Sequence, residues 1–354
     1  MQADVLKTLT DAISAGEHLG PDAITQAVHA LTDGVIDIVD KQAFLNALHE
    51  KGETVEEVIG FAAAFRDLAQ KPSAAVLEIA KNGLDYVGTG GDHSNAFNIS
   101  TSVCMMLASA GIPILKHGNR GATSPSGTAD MQEALGFKAD LAPEDFLKLL
   151  ENQNFSFFFA PAYHPAFKHI VPARKALAQQ GKRTIFNILG PLINPAQPAF
   201  QVLGVYDKKW VKPLADALTS LGRKRGVVLY GETTSGRAVD KAITAGQTFY
   251  CGVGELDGYS GVWTAADFGK ELCDFEELQS DTPAANATRL LRIFSGEEQG
   301  GLLDTLCANA AVGLWSAGRV ESISQGVEIA ENLISSGRTL QWLEETRSIF
   351  SELS

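Results

Sequence analysis

The chain has 354 residues, 45% of them hydrophobic, and 29 Lys and Arg against 42 Asp and Glu, for a net charge of −13. That length suits about two domains of ~150 residues, with a core that needs no cross-links. The acidic balance repels phosphate-rich partners, so neither nucleic acid nor a membrane surface is an expected partner. Cys104, Cys251, Cys273 and Cys307 lie far apart with no CxxC pair, and no run of about 18 apolar residues occurs. Neither a disulfide framework, a zinc knuckle nor a membrane span is indicated, and a cytoplasmic globular protein is expected.

Residues 1–78 read as helices only. Ala23–Leu31 and Lys41–His49 are short helical stretches, and Val55, Val58, Ile59, Ala62, Phe65 and Leu68 recur at three- and four-residue spacing as one apolar stripe. Thr54 followed three places later by Glu57 forms a capping box ahead of that stripe. After Lys81 the pattern changes. Strand-like runs at Leu84–Val87, Ile112–Leu115, Phe155–Phe159, Val202–Val205 and Val227–Tyr230 alternate with helical ones at Thr101–Ala110, Glu144–Glu151 and Val211–Leu221. Such alternation predicts an α/β fold with a mostly parallel central sheet. Lys168–Gln180 is helical again, and residues 285–340 carry two or three further helices. The expected organisation is a small all-helical domain over 1–78, rejoined by part of 165–186, and a larger α/β domain over 79–354.

Four segments could carry chemistry. Gly88-Thr89-Gly90-Gly91-Asp92 closes the first strand with three glycines, which let the backbone turn tightly and offer free N–H groups to an anion. An ordinary strand–turn–helix is the plainer reading of the glycines alone. Asn98, Ser100 and Thr101 open the next helix, where orphan N–H groups and the positive dipole end attract negative charge. Asp92 so close by suits a hydroxyl-rich sugar or a metal better than a bare phosphate. Lys116-His117-Gly118-Asn119-Arg120, after the second strand, packs two permanent cations into an acidic protein at the carboxyl end of a strand, where a parallel sheet gathers its ligands. A solvated loop is the alternative, and a polyphosphate grip is favoured. His164 lies between Tyr163 and Pro165, ahead of Arg174, and reads as a general base or as part of a shaped loop. Asn187–Pro195 carries two prolines and forms a rigid turn.

Taken together these residues resemble the anthranilate phosphoribosyltransferase family. Phe44–Thr54 (FLNALHEKGET), GTGGD at Gly88–Asp92, NIST at Asn98–Thr101, KHGNR at Lys116–Arg120, SGTAD at Ser126–Asp130 and NILGPLINP at Asn187–Pro195 appear in order, with Asn309 and Gly326–Gly337 in the C-terminal helices. The resemblance implies transfer of a phosphoribosyl group from phosphoribosyl pyrophosphate to the amino nitrogen of anthranilate, with Mg²⁺, as a step of tryptophan biosynthesis. It implies a fold of the nucleoside phosphorylase and phosphoribosyltransferase type, and a homodimer formed through the helical domain. Carried over by position, Gly88, Gly91, Asp92, Asn98, Ser100, Thr101, Lys116, Asn119, Ser124 and Thr128 would hold phosphoribosyl pyrophosphate. Gly88, Asn119, His164 and Arg174 would meet anthranilate, and Ser100 and Asp240 would ligate the metal.

Three departures bear on that assignment. The pair Asp240-Lys241 stands where the family has Asp-Glu at its magnesium ions. Ala96 replaces a hydroxyl of the glycine loop. Thr123-Ser124-Pro125 replaces Ser-Ser-Lys, and Arg174–Arg183 is a few residues longer. They leave two alternatives open: a divergent member using another nitrogen acceptor, and a non-catalytic ligand- or nucleic-acid-binding protein on the same scaffold.

Overall fold

The computed structural model of the chain describes residues 2–121 and 126–353. Ser124, expected to touch the donor, lies outside the described residues. Two compact units are present: Met1–Lys71 with Ala160–Pro195, and Pro72–Phe159 with Ala196–Ser354. The first opens with α1 (Gln2–Ser14), α2 (Pro21–Thr32), α3 (Ile38–Lys51) and α4 (Val55–Asp67). The chain continues in the second unit with α5 (Ala74–Ala80), β1 (Leu84–Gly88), α6 (Ile99–Ser109), β2 (Ile114–Gly118), α7 (Thr128–Ala134), α8 (Pro143–Gln153) and β3 (Phe155–Phe159). Next come α9 (Ala160–Tyr163), α10 (Val171–Gln179) and α11 (Phe186–Leu189), which belong to the first unit. The rest completes the second unit: β4 (Phe200–Gly204), α12 (Val211–Ser220), β5 (Arg225–Thr233), β6 (Ala238–Val239), β7 (Gly246–Gly254), β8 (Ser260–Thr264), α13 (Pro283–Phe294), α14 (Gly301–Ser316), α15 (Ile323–Ser335) and α16 (Arg338–Glu352).

The first unit is held by aromatic packing and by two buried ions. Phe65 of α4 meets Phe167 at 5.0 Å and Phe186 at 5.2 Å between ring centroids, so residues 160–195 complete the core begun by α1–α4. The capping box forms as expected, Thr54 Oγ1 accepting from the Glu57 N–H and Glu57 Oε2 from the Thr54 N–H. Glu57 does more than cap: its carboxylate also takes Lys51 Nζ at 2.7 Å and the Leu19 N–H at 3.0 Å. Lys41, buried on α3, donates to the carbonyls of Asp33 and His169 at 2.7 and 2.9 Å. The single helix expected over Lys168–Gln180 is instead a 3₁₀ turn at Pro165–His169 followed by α10. Pro172 explains the break, since without an N–H it opens a helix and cannot extend one from upstream.

The second unit is an eight-stranded sheet in the order β3-β2-β1-β4-β5-β7-β8, with β6 paired on β5. The five strands from β3 to β5 are mutually parallel, as the alternating pattern predicts. The antiparallel extension through β6, β7 and β8 was not expected; β7 mixes exposed Gln247 with buried Thr248 and Gly246 and lacks a continuous apolar run. The second strand is displaced from its predicted place. The Ile112 N–H still closes α6 on Leu107 O at 3.1 Å and Pro113 has no N–H for the ladder, so β2 begins at Ile114 and runs through Lys116, His117 and Gly118. Residues 285–340 hold α13, α14 and α15, within the two or three helices expected there, and α16 begins at Arg338 and runs on beyond; α14 is buried except at half-buried Leu303 and Asp304 and packs on α6 and α15. Among the described residues no helix is long and apolar enough to cross a membrane.

Candidate active site

The carboxyl ends of β1 and β2, neighbours in the sheet, gather most of the second unit's candidate residues. At the end of β1, Gly88 pairs with Gly204 of β4, and the chain turns through Gly90 and Gly91 at φ +63° and +72°, a left-handed region where glycine carries no Cβ penalty. Asp240, in the loop after β6, fixes that turn: its Oδ2 accepts the Gly90 N–H at 2.8 Å. A Cβ on Gly88 would run into Asp240 Oδ2 and fall 2.8 Å from Asp240 Cγ and 2.9 Å from Lys241 Nζ, so glycine at the strand end lets both side chains lie against the turn. Asp92 braces the same loop. Its Oδ2 accepts from Ser94 Oγ at 2.8 Å and from the Asp240 N–H at 3.0 Å.

Lys241 lies against this pair of carboxylates, its ammonium on Asp240 Oδ1. Burial works against the Asp92 carboxylate, yet the Lys241 charge, the Asp240 N–H and Ser94 together hold its pKa below the ordinary range. Burial pushes the Asp240 carboxyl upward; the ammonium opposes the shift and the Asp92 charge adds to it.

The helix α6 begins beside the loop. Asn98 makes no capping bond; its amide donates to Ser126 O at 2.9 Å while its Oδ1 accepts from Ser126 Oγ and Asn286 Nδ2. It therefore ties the start of α6 to the start of α7 and to α13. Ser100 is half-buried in the first turn of α6, and Thr101 is buried with its hydroxyl unpartnered among the described residues. Thr128, half-buried, opens α7.

The cations of the KHGNR segment are not laid out as a grip on solvent. Because β2 includes Lys116, that side chain is 1% exposed and its Nζ donates to Tyr86 O at 2.6 Å. Arg120 is committed to Glu133 through two bonds of 2.6 and 2.7 Å. Asn119 is exposed, its Oδ1 accepting the Arg120 N–H at 2.8 Å.

His164 and Arg174 belong to the first unit. His164 is buried beside Phe167, and burial lowers its pKa to about 4 against a backbone hydrogen bond with Ile193. A neutral imidazole follows at any ordinary pH. Arg174 lies over the Phe186 ring, 4.9 Å from the centroid, and burial alone lowers its pKa to about 10; no carboxylate among the described residues pairs with it. It remains a cation at neutral pH.

Residues 4–69 match the glycosyl transferase family helical bundle domain, and residues 80–340 match the a/b domain of the same family. An anthranilate phosphoribosyltransferase of Methanobrevibacter smithii is 40% identical over 332 residues, 93% of this chain and 95% of the relative. That of Petrotoga mobilis is 38% identical over 330 residues, 93% of this chain and 92% of the relative. The chain belongs to the anthranilate phosphoribosyltransferase family. Solved members share the fold: the Thermus thermophilus enzyme superposes with a TM-score of 0.86 at 34% identity, covering 97% of this chain and 99% of its own. The Saccharomyces cerevisiae enzyme, solved in complex with phosphoribosyl pyrophosphate and Mg, does so with 0.86 at 26% identity, covering 98% of both chains.

Within this family member, Asn309 and Asp130, which the sequence marks only as parts of matching segments, turn out to be braces, and Gly204 and Gly231 carry no mark in the sequence at all. Asn309 on α14 accepts from Tyr86 Oη at 2.7 Å and from the Ala242 N–H at 3.1 Å, and donates to Ala242 O at 2.8 Å, pinning the loop that carries Asp240 and Lys241 to β1. Gly204 and Gly231 leave room for the backbone of that loop, since a Cβ on either would run into Asp240 O or Lys241 O. Asp130 accepts from the N–H groups of Gly121 and Gly127 at 2.9 and 2.8 Å. No single-sequence signal marks a buried Asn as a brace.

A magnesium ion fits one of the two expected ligands and not the other. Mg²⁺ takes six oxygens and keeps several waters, so it is commonly held by one or two protein oxygens together with substrate phosphates. The half-buried Ser100 hydroxyl at the start of α6 suits that arrangement. Asp240 does not: one oxygen takes Lys241 and the other the Gly90 N–H. Among the described residues no group of three or more His, Cys, Asp and Glu could cage a metal.

Proposed function

We propose that this chain transfers the phosphoribosyl group of phosphoribosyl pyrophosphate to the amino nitrogen of anthranilate and releases pyrophosphate. What supports the reading above all is the glycine turn at the end of β1, which has no room for a Cβ and opens beside the N-terminus of α6, in a chain similar over 93% of its length to transferases of that name. In the reaction the bond from the ribose anomeric carbon to the diphosphate oxygen breaks, its electron pair leaving on the diphosphate. The amine lone pair forms the new N–C bond and the nitrogen releases a proton to solvent. Negative charge therefore grows on the leaving group and positive charge on the ribose.

Backbone N–H groups of the Gly88–Gly91 turn and of the first turn of α6, with the hydroxyls of Ser100, Thr101 and Thr128, are the donors we assign to the diphosphate and ribose. Asp92, Asn98 and Lys116 hold these elements in place. Mg²⁺ bound with the donor supplies further positive charge to the leaving oxygens. Arg174 takes the carboxylate of anthranilate. His164 stays neutral and shapes its loop, and no base is needed because an aromatic amine carries a free lone pair at neutral pH, so positioning matters more. Exposed Val35, Ile38 and Val39, three apolar side chains within five residues, support a homodimer through the helical unit; a cytoplasmic location agrees with the chemistry.

The test follows anthranilate fluorescence with phosphoribosyl pyrophosphate across a Mg²⁺ titration, with sedimentation for the dimer. Loss of fluorescence with pyrophosphate release is expected. No consumption of anthranilate at any Mg²⁺ level overturns the reading, and preference for another amine in competition moves the acceptor elsewhere.

A further inference from the structure

We infer that Lys241 is a built-in cation of the donor site: its ammonium takes, on Asp240, the place a divalent ion would need, and meets the diphosphate of the donor. The inference rests on the reading that this chain binds phosphoribosyl pyrophosphate. Three observations carry it.

The first is position. The Lys241 side chain is 12% exposed and that of Asp240 6%, and the two are joined at Oδ1. The other oxygen of Asp240 holds the Gly90 N–H, and the ammonium lies where a Cβ of Gly88 would come within 2.9 Å of it. The cation therefore sits at the glycine turn itself. Asp240 takes one of its three N–H donors, leaving others for an incoming oxyanion.

The second is rigidity. Asn309 grips both backbone groups of Ala242, the next residue, and Gly204 and Gly231 let the loop lie directly on β4 and β5. The backbone that carries Lys241 is thus fixed at the sheet, and burial with the pairing to Asp240 places its ammonium.

The third is charge. Asp92 and Asp240 place two carboxylates at the turn where a polyanion has to approach, and Lys241 is the cation beside them, seated on Asp240. Lys116 and Arg120 are engaged elsewhere, with Tyr86 O and Glu133. A divalent ion on Asp240 would have to displace the ammonium and then share the pocket with it. A diphosphate replaces no contact, because it meets N–H donors.

The deciding experiment counts Mn²⁺ bound per chain by electron paramagnetic resonance at saturating phosphoribosyl pyrophosphate, with donor affinity measured by calorimetry in the absence of anthranilate. The natural chain is expected to bind one Mn²⁺ with the donor, and Lys241→Glu two. Lys241→Met, checked for an unchanged melting temperature, should bind the donor roughly tenfold more weakly or worse, and Lys241→Arg should keep most of the affinity and the count of one. Two Mn²⁺ on the natural chain, or full donor affinity in a folded Lys241→Met, overturns the inference and leaves the functional reading standing. Failure of the natural chain to bind the donor at all removes both.

Discussion

Replacing Gly88 by Ala tests the donor loop at its tightest point. The added Cβ would stand 2.8 Å from Asp240 Cγ and 2.9 Å from Lys241 Nζ, where ordinary contact begins at 3.4 Å. The backbone of Asp240 is held by Asp92 and that of Ala242 by Asn309, and the Asp240 carboxylate is engaged by Lys241 and the Gly90 N–H, so any rotation that clears the Cβ gives up those contacts. The atom nearest the new Cβ is Asp240 Oδ2, closer still than Cγ, so the carboxyl has to swing away from the turn. That oxygen is the one that accepts the Gly90 N–H at 2.8 Å, so this hydrogen bond is lost. Losing a hydrogen bond to a charged group costs about 1.5–3 kcal/mol, or roughly a ten- to hundredfold rise in KM for phosphoribosyl pyrophosphate, with a melting temperature lower by several degrees. Gly90→Ala is the internal control. Nothing lies within 4 Å of its Cβ position, so only the left-handed backbone, at φ +63°, opposes it, at about 1–2 kcal/mol. Steady-state kinetics with varied donor, beside thermal unfolding of both variants, gives the comparison. A Gly88→Ala enzyme with the natural KM and melting temperature, or one milder than Gly90→Ala, would refute the packing account of this loop.

Other side chains make separate predictions. Arg174→Met should raise KM for anthranilate at least tenfold while leaving KM for the donor alone, since a buried charge-assisted pair is removed; Arg174→Lys should recover part of that loss, keeping the charge but not the planar group over Phe186. His164 is depressed to about 4 in the fold against about 6.5 unfolded, so its contribution is fully present above pH 6.5 and is lost as pH falls toward 4. Between pH 7.5 and 5 that amounts to roughly 2 kcal/mol, visible as a lower urea midpoint, and His164→Gln should flatten that slope. A pH profile of kcat with a limb near 6.5 that vanishes in His164→Gln would contradict a neutral, non-catalytic role. Glu57→Ala should destabilise the helical unit by about 3–5 kcal/mol, because it strands the buried Lys51 ammonium and opens the cap of α4 together; an unchanged unfolding transition would show the pair to be idle.

The large features were legible because they depend on periodicity. The apolar stripe of α4 and its capping box need only residues a few places apart, and the five parallel strands announce themselves as short apolar runs between helices. The antiparallel strands β7 and β8 were hidden: half their residues face outward or carry polar groups, and neighbours on either side set their burial. The glycine turn could be recognised as a loop that approaches something closely, but not what it approaches. The carboxyl of Asp240 comes from 150 residues away. The basic segment misled for a related reason. A lysine counted in a sequence is a charge facing an unknown direction, and a two-residue shift in the start of β2 turned Lys116 from a loop cation into a buried donor to Tyr86.

Lys241 is the case where one residue type decides the electrostatics of the donor loop. Asp92 and Asp240 contribute −1 each and Lys241 contributes +1, so the cluster carries −1; a glutamate at 241 would make it −3. A divalent ion 4 Å from an ammonium is repelled by about 8 kcal/mol at an effective dielectric of 20, and a partner carboxylate at the same distance would be attracted by as much. Reversing one side chain thus turns a repulsion of that size into an attraction of the same size for a second metal. A diphosphate, which a −3 cluster would repel unless metals came with it, meets at −1 a lysine already seated on the turn. Donor binding in this chain should therefore depend less steeply on Mg²⁺ concentration than in Lys241→Glu, whose cluster has to recruit its cations from solution.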